Sequence, residues 1–190
     1  MIDNMPLLVV LDANVLFPWS LRDTLLRVAE AELYDLRISR QILDEVTRNL
    51  RGRQKMTASQ AAHFETRVDM FFASLTAFVT DYESLIPTLT NNMKDRHVLA
   101  AAVKANAHIV VTFNLKHFPD KALASHDVVA LHPDLFLTRL HALYPDMLDN
   151  IVREQAAALH RPPVTVAQLL DTLTQHAPRF VRLVRLRLLG

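Results

Sequence analysis

The sequence predicts an α/β domain built on a central parallel sheet and followed by a helical C-terminal extension. Three observations carry this. Leu7–Leu11 is a short, wholly apolar run bounded by Pro6 and Asp12, which suits a strand buried on both faces. Residues 94–119 pass from Asp95 through an apolar helical pattern (Val98, Leu99, Ala102, Val103) to the β-branched run Ile109–Val111, then to polar Thr112-Phe113-Asn114; that is half of a parallel α/β unit. After a last strand at Val128–Leu131, only helical patterns follow.

The remaining elements read in order. Ser20-x-x-Asp23 resembles a capping box opening a helix along Leu21, Leu25, Leu26 and Val28. Leu36–Ser39 is a second strand, and Ser39 can cap a helix whose apolar residues Ile42, Leu43, Val46 and Leu50 share one face, with Glu45 at its margin. Thr57-x-x-Gln60 opens a long helix to Leu75, and Ala77–Tyr82 suits an edge strand. A loop over Glu83–Met93 delivers Asp95. Asp134 can cap a helix to Leu143, Pro145 breaks it, and another helix runs from Met147 to Leu159. Arg161-Pro162-Pro163 is the best linker, after which Thr165-x-x-Gln168 opens a helical tail rich in arginine. The division predicted is 1–133 for the α/β domain and 134–190 for the extension with its basic end.

Composition narrows the chemistry. With 190 residues, 51% hydrophobic and only 2 Gly, the chain can bury a sizeable core. A net charge of +1 gives no global pull on a polyanion, so any nucleic-acid contact must come from local patches. The absence of cysteine removes disulfides, thiolate catalysis and Cys-type zinc sites. The N-terminal run is cut by Asp12 and lacks a basic flank, so neither a signal peptide nor a membrane span is expected, and the expected location is the cytoplasm.

The candidate site follows from topology. Ligands of parallel sheets bind outside the carboxyl ends of the strands. Asp12 and Asn114 end strands there, with Asn14 and Thr112 beside them; Glu45 and Asp95 lie early in flanking helices. Each acid alone has a plainer reading, as a turn residue, a surface acid or an N-cap. Together, converging carboxylates would repel without a cation, which implies a hard divalent ion with oxygen ligands, Mg²⁺ or Mn²⁺. His97 and His117 are candidate proton carriers.

Four segments resemble the successive motifs of PIN-domain ribonucleases: Leu11–Leu16, Ile42–Val46, Lys94–Ala100 and Val111–Phe118. The likeness spans about residues 7–135 and is closest to the VapC-type toxins of toxin–antitoxin pairs. It implies a three-layer α/β/α PIN-like domain and a metal-dependent endoribonuclease of type II toxin character, with RNA as substrate. Asp12, Glu45 and Asp95 would be the metal-binding acids, and a cognate antitoxin would block the site. Asn114 stands where many PIN domains carry a further acid, which bears on a second metal; Asn14, Thr112 and His117 would support the site. Basic clusters at Arg48, Arg51 and Arg53, and at Arg179, Arg182 and Arg185, are candidate contacts for RNA or antitoxin, although arginines at helix ends also suit the helix dipole. A homodimer is left open, and no membrane partner is expected. The rival reading is a PIN-like module that binds protein or RNA and cuts weakly, since fold alone does not fix function.

Overall fold

The computed structural model describes residues 7–54, 66, 70, 72, 78–160 and 162–190, with the side chains of residues 53 and 54 excepted. Five parallel strands, β1 (Leu8–Leu11), β2 (Asp35–Ser39), β3 (Phe78–Val79), β4 (Ile109–Val111) and β5 (Val129–Leu131), form one sheet in the order β3-β2-β1-β4-β5. The chain walks outward from β1 to β3, then returns past β1 to β4 and β5. Because such crossovers are right-handed, the two directions put their helices on opposite faces, and the result is a three-layer α/β/α domain. Helices α1 (Trp19–Glu30) and α2 (Arg40–Gln54) belong to the outward walk, α3 (Arg96–Lys104) and the short α4 (Asp120–Leu123) to the return. The central strands are apolar throughout because both faces are covered: Val9, Val10, Leu11, Val110 and Val111 have no exposed surface.

Local sequence explains several element ends. Ser39 Oγ accepts from the Ile42 amide at 3.3 Å and so opens α2. Thr165 and Gln168 form a complete capping box at the start of the helix Val166–Thr174. With so little glycine, left-handed turns fall to Glu32, Asp81, Asn106 and Asp127, each at φ between 51° and 59°. Three expectations differ. Ser20 does not cap α1, which starts at Trp19 behind Pro18; Ser20 is buried in the first turn instead. The loop at 83–93 contains two 3₁₀ segments, Glu83–Thr88 and Met93–Asp95. Pro145 does not merely end one helix but begins the next at its first position, where a missing N–H costs nothing. The helix expected from Thr57 to Leu75 lies outside the described residues apart from helical Thr66, Met70 and Phe72.

Four helices follow β5: α5 (Pro133–Leu143), α6 (Pro145–Ala157), α7 (Val166–Thr174) and α8 (Pro178–Leu188). They fold back onto the first part of the chain, with α6 and α7 packed on α1. Gln155 of α6 is fully buried and satisfied at both ends, accepting from Thr24 Oγ1 at 2.7 Å and donating to the Ser20 carbonyl at 2.9 Å. Asp134 does not cap its own helix; His132 does, its Nδ1 accepting from the Asp134 amide. The Asp134 carboxylate reaches instead to the distant start of α8, where Oδ1 accepts from the amides of Arg179 and Phe180 at 2.8 and 3.0 Å. An acid there satisfies orphan donors and opposes the helix dipole.

Candidate active site

The register of the sheet brings the site together. Leu11 pairs with Val111 and Val111 with Leu131, so the next residues, Asp12, Thr112 and His132, stand in a row at the carboxyl edge. Pairing continues one bond further, since Asp12 N donates to Val111 O and Thr112 N to Leu131 O. The row lies where the outward and return walks of the chain diverge between β1 and β4, the topological switch point of an open sheet.

Asp12 is only 3% exposed and its carboxylate is held by two neighbours. Thr112 Oγ1 donates to Asp12 Oδ2 at 2.7 Å, and Asn14 Nδ2 donates to the same oxygen. Asn14 also donates to Thr112 Oγ1 at 3.0 Å, and its Oδ1 accepts from the Phe113 amide at 3.0 Å. Thr112 Oγ1 further accepts from the Asn114 amide at 2.9 Å. Two side chains therefore set both the rotamer of Asp12 and the path of the chain after β4.

The other two acids approach from the helices. Asp95 sits at the N-cap position of α3 but makes no capping bond; its Oδ2 meets His117 Nδ1 at 2.5 Å instead. Glu45, in the second turn of α2, points Oε2 to 3.7 Å from His97 Nε2, a buried nitrogen with no hydrogen-bond partner. Burial pushes the Asp12 carboxyl up to about 6, and the charges of Asp95 and Glu45 add to this while the Thr112 hydroxyl opposes it. Burial also holds the His97 imidazolium below the usual range, against the pull of Glu45 and Asp95. Among the described residues no group of three or more Asp, Glu or His side chains is gathered closely enough to hold a metal ion as the side chains stand. Repulsion accounts for the spread: each helix-borne carboxylate turns to an imidazole, and Asp12 to neutral donors. The donor set, carboxylates and an amide with no sulfur, fits a hard divalent cation.

Asn114 is half-buried, and its side chain makes no capping bond to the turn that follows. Arg48 and Arg51 are exposed on α2, while the Arg53 side chain lies outside the described residues. In the tail, Arg185 pairs with Asp171 and Arg182 is exposed. Arg179 is exposed beside the Asp134 carboxylate. Arg187, not singled out above, bridges Asp146 and the buried Asp149, whose other oxygen contacts His141. The fold also gathers a group that sequence reading missed: the Phe113 ring lies 5.2 Å from the His132 ring and 5.8 Å from that of His176. Three distant segments supply these rings, so no periodicity announces them.

The parallel sheet with acids at its switch point is that of a PIN domain: residues 8–116, more than half of the chain, match the family model of that description, and the chain belongs to this family. Residues 133–186 match the model described as the VapC50 C-terminal domain. Over 110 residues the chain is 44% identical to a Mycobacterium tuberculosis (strain ATCC 25618 / H37Rv) protein named "Putative ribonuclease VapC50", a match that covers 58% of this chain and 65% of that relative. It thus spans just under two thirds of the relative's length. No solved structure matches the chain. No helix among the described residues is long and apolar enough to cross a membrane.

Proposed function

We propose that the protein is a divalent-metal-dependent endoribonuclease acting as the toxin of a type II toxin–antitoxin pair, with Asp12, Glu45 and Asp95 holding Mg²⁺ or Mn²⁺. The observation that carries this reading is the placing of three acids about the switch point, with Asp12 buried at the end of β1, Asp95 at the start of α3 and Glu45 on α2, near enough that their charges add to the burial that raises Asp12 to about 6. An uncompensated cluster of this kind is costly unless a cation offsets it. The bound ion would lower the pKa of a water and relieve charge developing on the phosphodiester.

The residues around it have distinct work. Thr112 and Asn14 fix the rotamer of Asp12. His117 orients Asp95. His97, kept uncharged by burial beside Glu45, can take up a proton at Nε2. Glu45, partly exposed on α2, has room to turn towards Asp12, whereas Asp95 is held by His117. The name of the mycobacterial relative and the match of the extension to the VapC50 C-terminal domain support both the ribonuclease and the toxin reading, the latter with a cognate antitoxin as partner.

The spread of the carboxylates favours one rival, a module that binds RNA or protein and cuts weakly. Mn²⁺ calorimetry with parallel RNA cleavage separates the two. Heat of binding and cleavage that both vanish in Asp95→Asn support the enzyme; RNA binding with neither metal uptake nor cleavage in the wild type supports the module.

A further inference from the structure

We propose that Phe113, His132, His176 and Arg179 form a binding wall for unpaired nucleotides of the RNA, with bases stacked on the rings and a backbone phosphate on Arg179. This rests on the ribonuclease reading of the adjacent acids and names how their substrate is gripped. The wall is continuous with that site. Phe113 lies between Thr112, which holds Asp12, and Asn114; His132 is next to Thr112 in the sheet register. Asn14 fixes the Phe113 backbone with one end of the amide whose other end holds Asp12.

The surfaces have the right chemistry. Phe113, His132 and His176 are each half-buried, so they are anchored yet accessible. Single-stranded RNA is recognised by stacking unpaired bases on such rings, and every base has a face to offer. Burial lowers the pKa of both histidines, which keeps them as neutral, flat rings near pH 7. His132 Nδ1 accepts from the Asp134 amide, so in the neutral ring Nε2 carries the proton and can donate to a base edge. Arg179 is 76% exposed, and its nearest carboxylate, Asp134, stands 3.9 Å from Nε, beyond hydrogen-bonding range. Asp134 meanwhile locks the backbone beneath it by accepting from the Arg179 and Phe180 amides. The Arg179 guanidinium, close enough for its charge to act on His132, offers a phosphate attraction next to that ring.

The wall takes Phe113 and His132 from the carboxyl edge of the sheet, and His176 and Arg179 from the extension, in the turn before α8 and in its first turn. The extension would thus be part of the substrate site and not only a support for it.

The test measures binding of a fluorescent single-stranded RNA carrying 2-aminopurine to the full chain in EDTA, which prevents cleavage, with a duplex of equal length alongside. Phe113→Leu and His176→Ala should each weaken single-strand binding by about tenfold and relieve 2-aminopurine quenching, while duplex affinity and the salt slope stay unchanged. His176→Phe should restore binding. Arg179→Ala should reduce the log-log salt slope by about 0.7. Wild-type affinity in both Phe113→Leu and His176→Ala, or no single-strand binding by the wild type, overturns the proposal. Cleavage in Mg²⁺ separates the two readings: a wild type that binds through these rings but never cuts defeats the ribonuclease reading alone, whereas normal cutting with unaltered variant binding defeats the wall alone.

Discussion

Asn14 and Phe113 are joined side chain to backbone: the Phe113 amide donates to Asn14 Oδ1 at 3.0 Å, while Nδ2 of the same side chain donates to Asp12. One planar amide therefore sets the spacing between the most buried acid of the site and the chain that leaves β4. Asn14→Ala should fold but lower RNA cleavage by about 10- to 100-fold, the range seen when groups that orient metal ligands are removed. Steady-state kinetics in Mg²⁺ checks this; wild-type kcat/KM would mean that Thr112 alone suffices to place Asp12.

The raised pKa of Asp12 has a stability signature in the metal-free protein. Its folded value of about 6 exceeds the usual 3.8, so between those limits the folded state holds a proton that the unfolded chain has released. Stability contributed by this group is present at low pH and is lost as pH rises to about 6, by roughly 3 kcal/mol at 1.36 kcal/mol per unit. Asp12→Asn has no such proton to lose. Urea unfolding in EDTA should show the variant's advantage over wild type growing from about pH 4 to pH 6 and then levelling; an advantage independent of pH contradicts the assignment.

Asp95→Asn should abolish metal-dependent cleavage, since loss of a ligand worth several kcal/mol corresponds to roughly a thousandfold or more in rate. His117→Ala should cost less, about 10- to 100-fold, because it only releases the Asp95 carboxylate from its partner. Cleavage by Asp95→Asn at the wild-type rate would remove Asp95 from the site.

A neutral side chain at Asn114 bears on the number of ions. Its amide oxygen can ligate but brings no charge, so one Mn²⁺ should bind the wild type tightly and a second weakly. Asn114→Asp should tighten the second and lower apo stability near neutral pH through added repulsion. Calorimetry that finds two equally tight ions in the wild type, or no gain in the variant, excludes this role.

The tail arginines should divide into two kinds. Arg187→Ala leaves the buried Asp149 carboxylate with His141 as its remaining partner and should lower the melting temperature by several degrees, whereas Arg182→Ala, on an exposed position, should leave it unchanged. Equal thermal shifts would mean that the Asp146–Arg187–Asp149 contacts contribute nothing to holding α6 and α8 together.

The sheet was legible because short apolar, β-branched or turn-bounded runs such as Leu8–Leu11 and Ile109–Val111 suit strands covered on both faces, and the carboxyl edge followed from them. Topology pairs Asp12 with Asn114 as strand ends on one edge; β4 in fact ends at Val111, so Thr112 is the residue beside Asp12 and Asn114 opens the following turn. What stayed hidden were the contacts between distant segments that no strand register brings together. Asp134 looked like the cap of its own helix because it stands near that helix's start; its actual partners lie 45 and 46 positions further on, a separation that carries no local signal. The basic tail looked unneutralised for the same reason, as Asp146, Asp149 and Asp171 reach it only through folding. Asp95, read as a cap, turned instead to His117, a preference set by charge and not by position along the helix.

The Asp134 bridge can close only late in synthesis. A ribosome makes Asp134 and the β4–β5 edge well before it makes the amides of Arg179 and Phe180, and domains generally settle from the N-terminus as they emerge. The turn that bears His176 and the first turn of α8, which bears Arg179, are therefore late additions to the carboxyl edge. A nascent chain stalled before that point would lack both the Asp134 contacts to α8 and the pairing of His176 with Phe113, so the extension's hold on the carboxyl edge is the last part of the molecule to close.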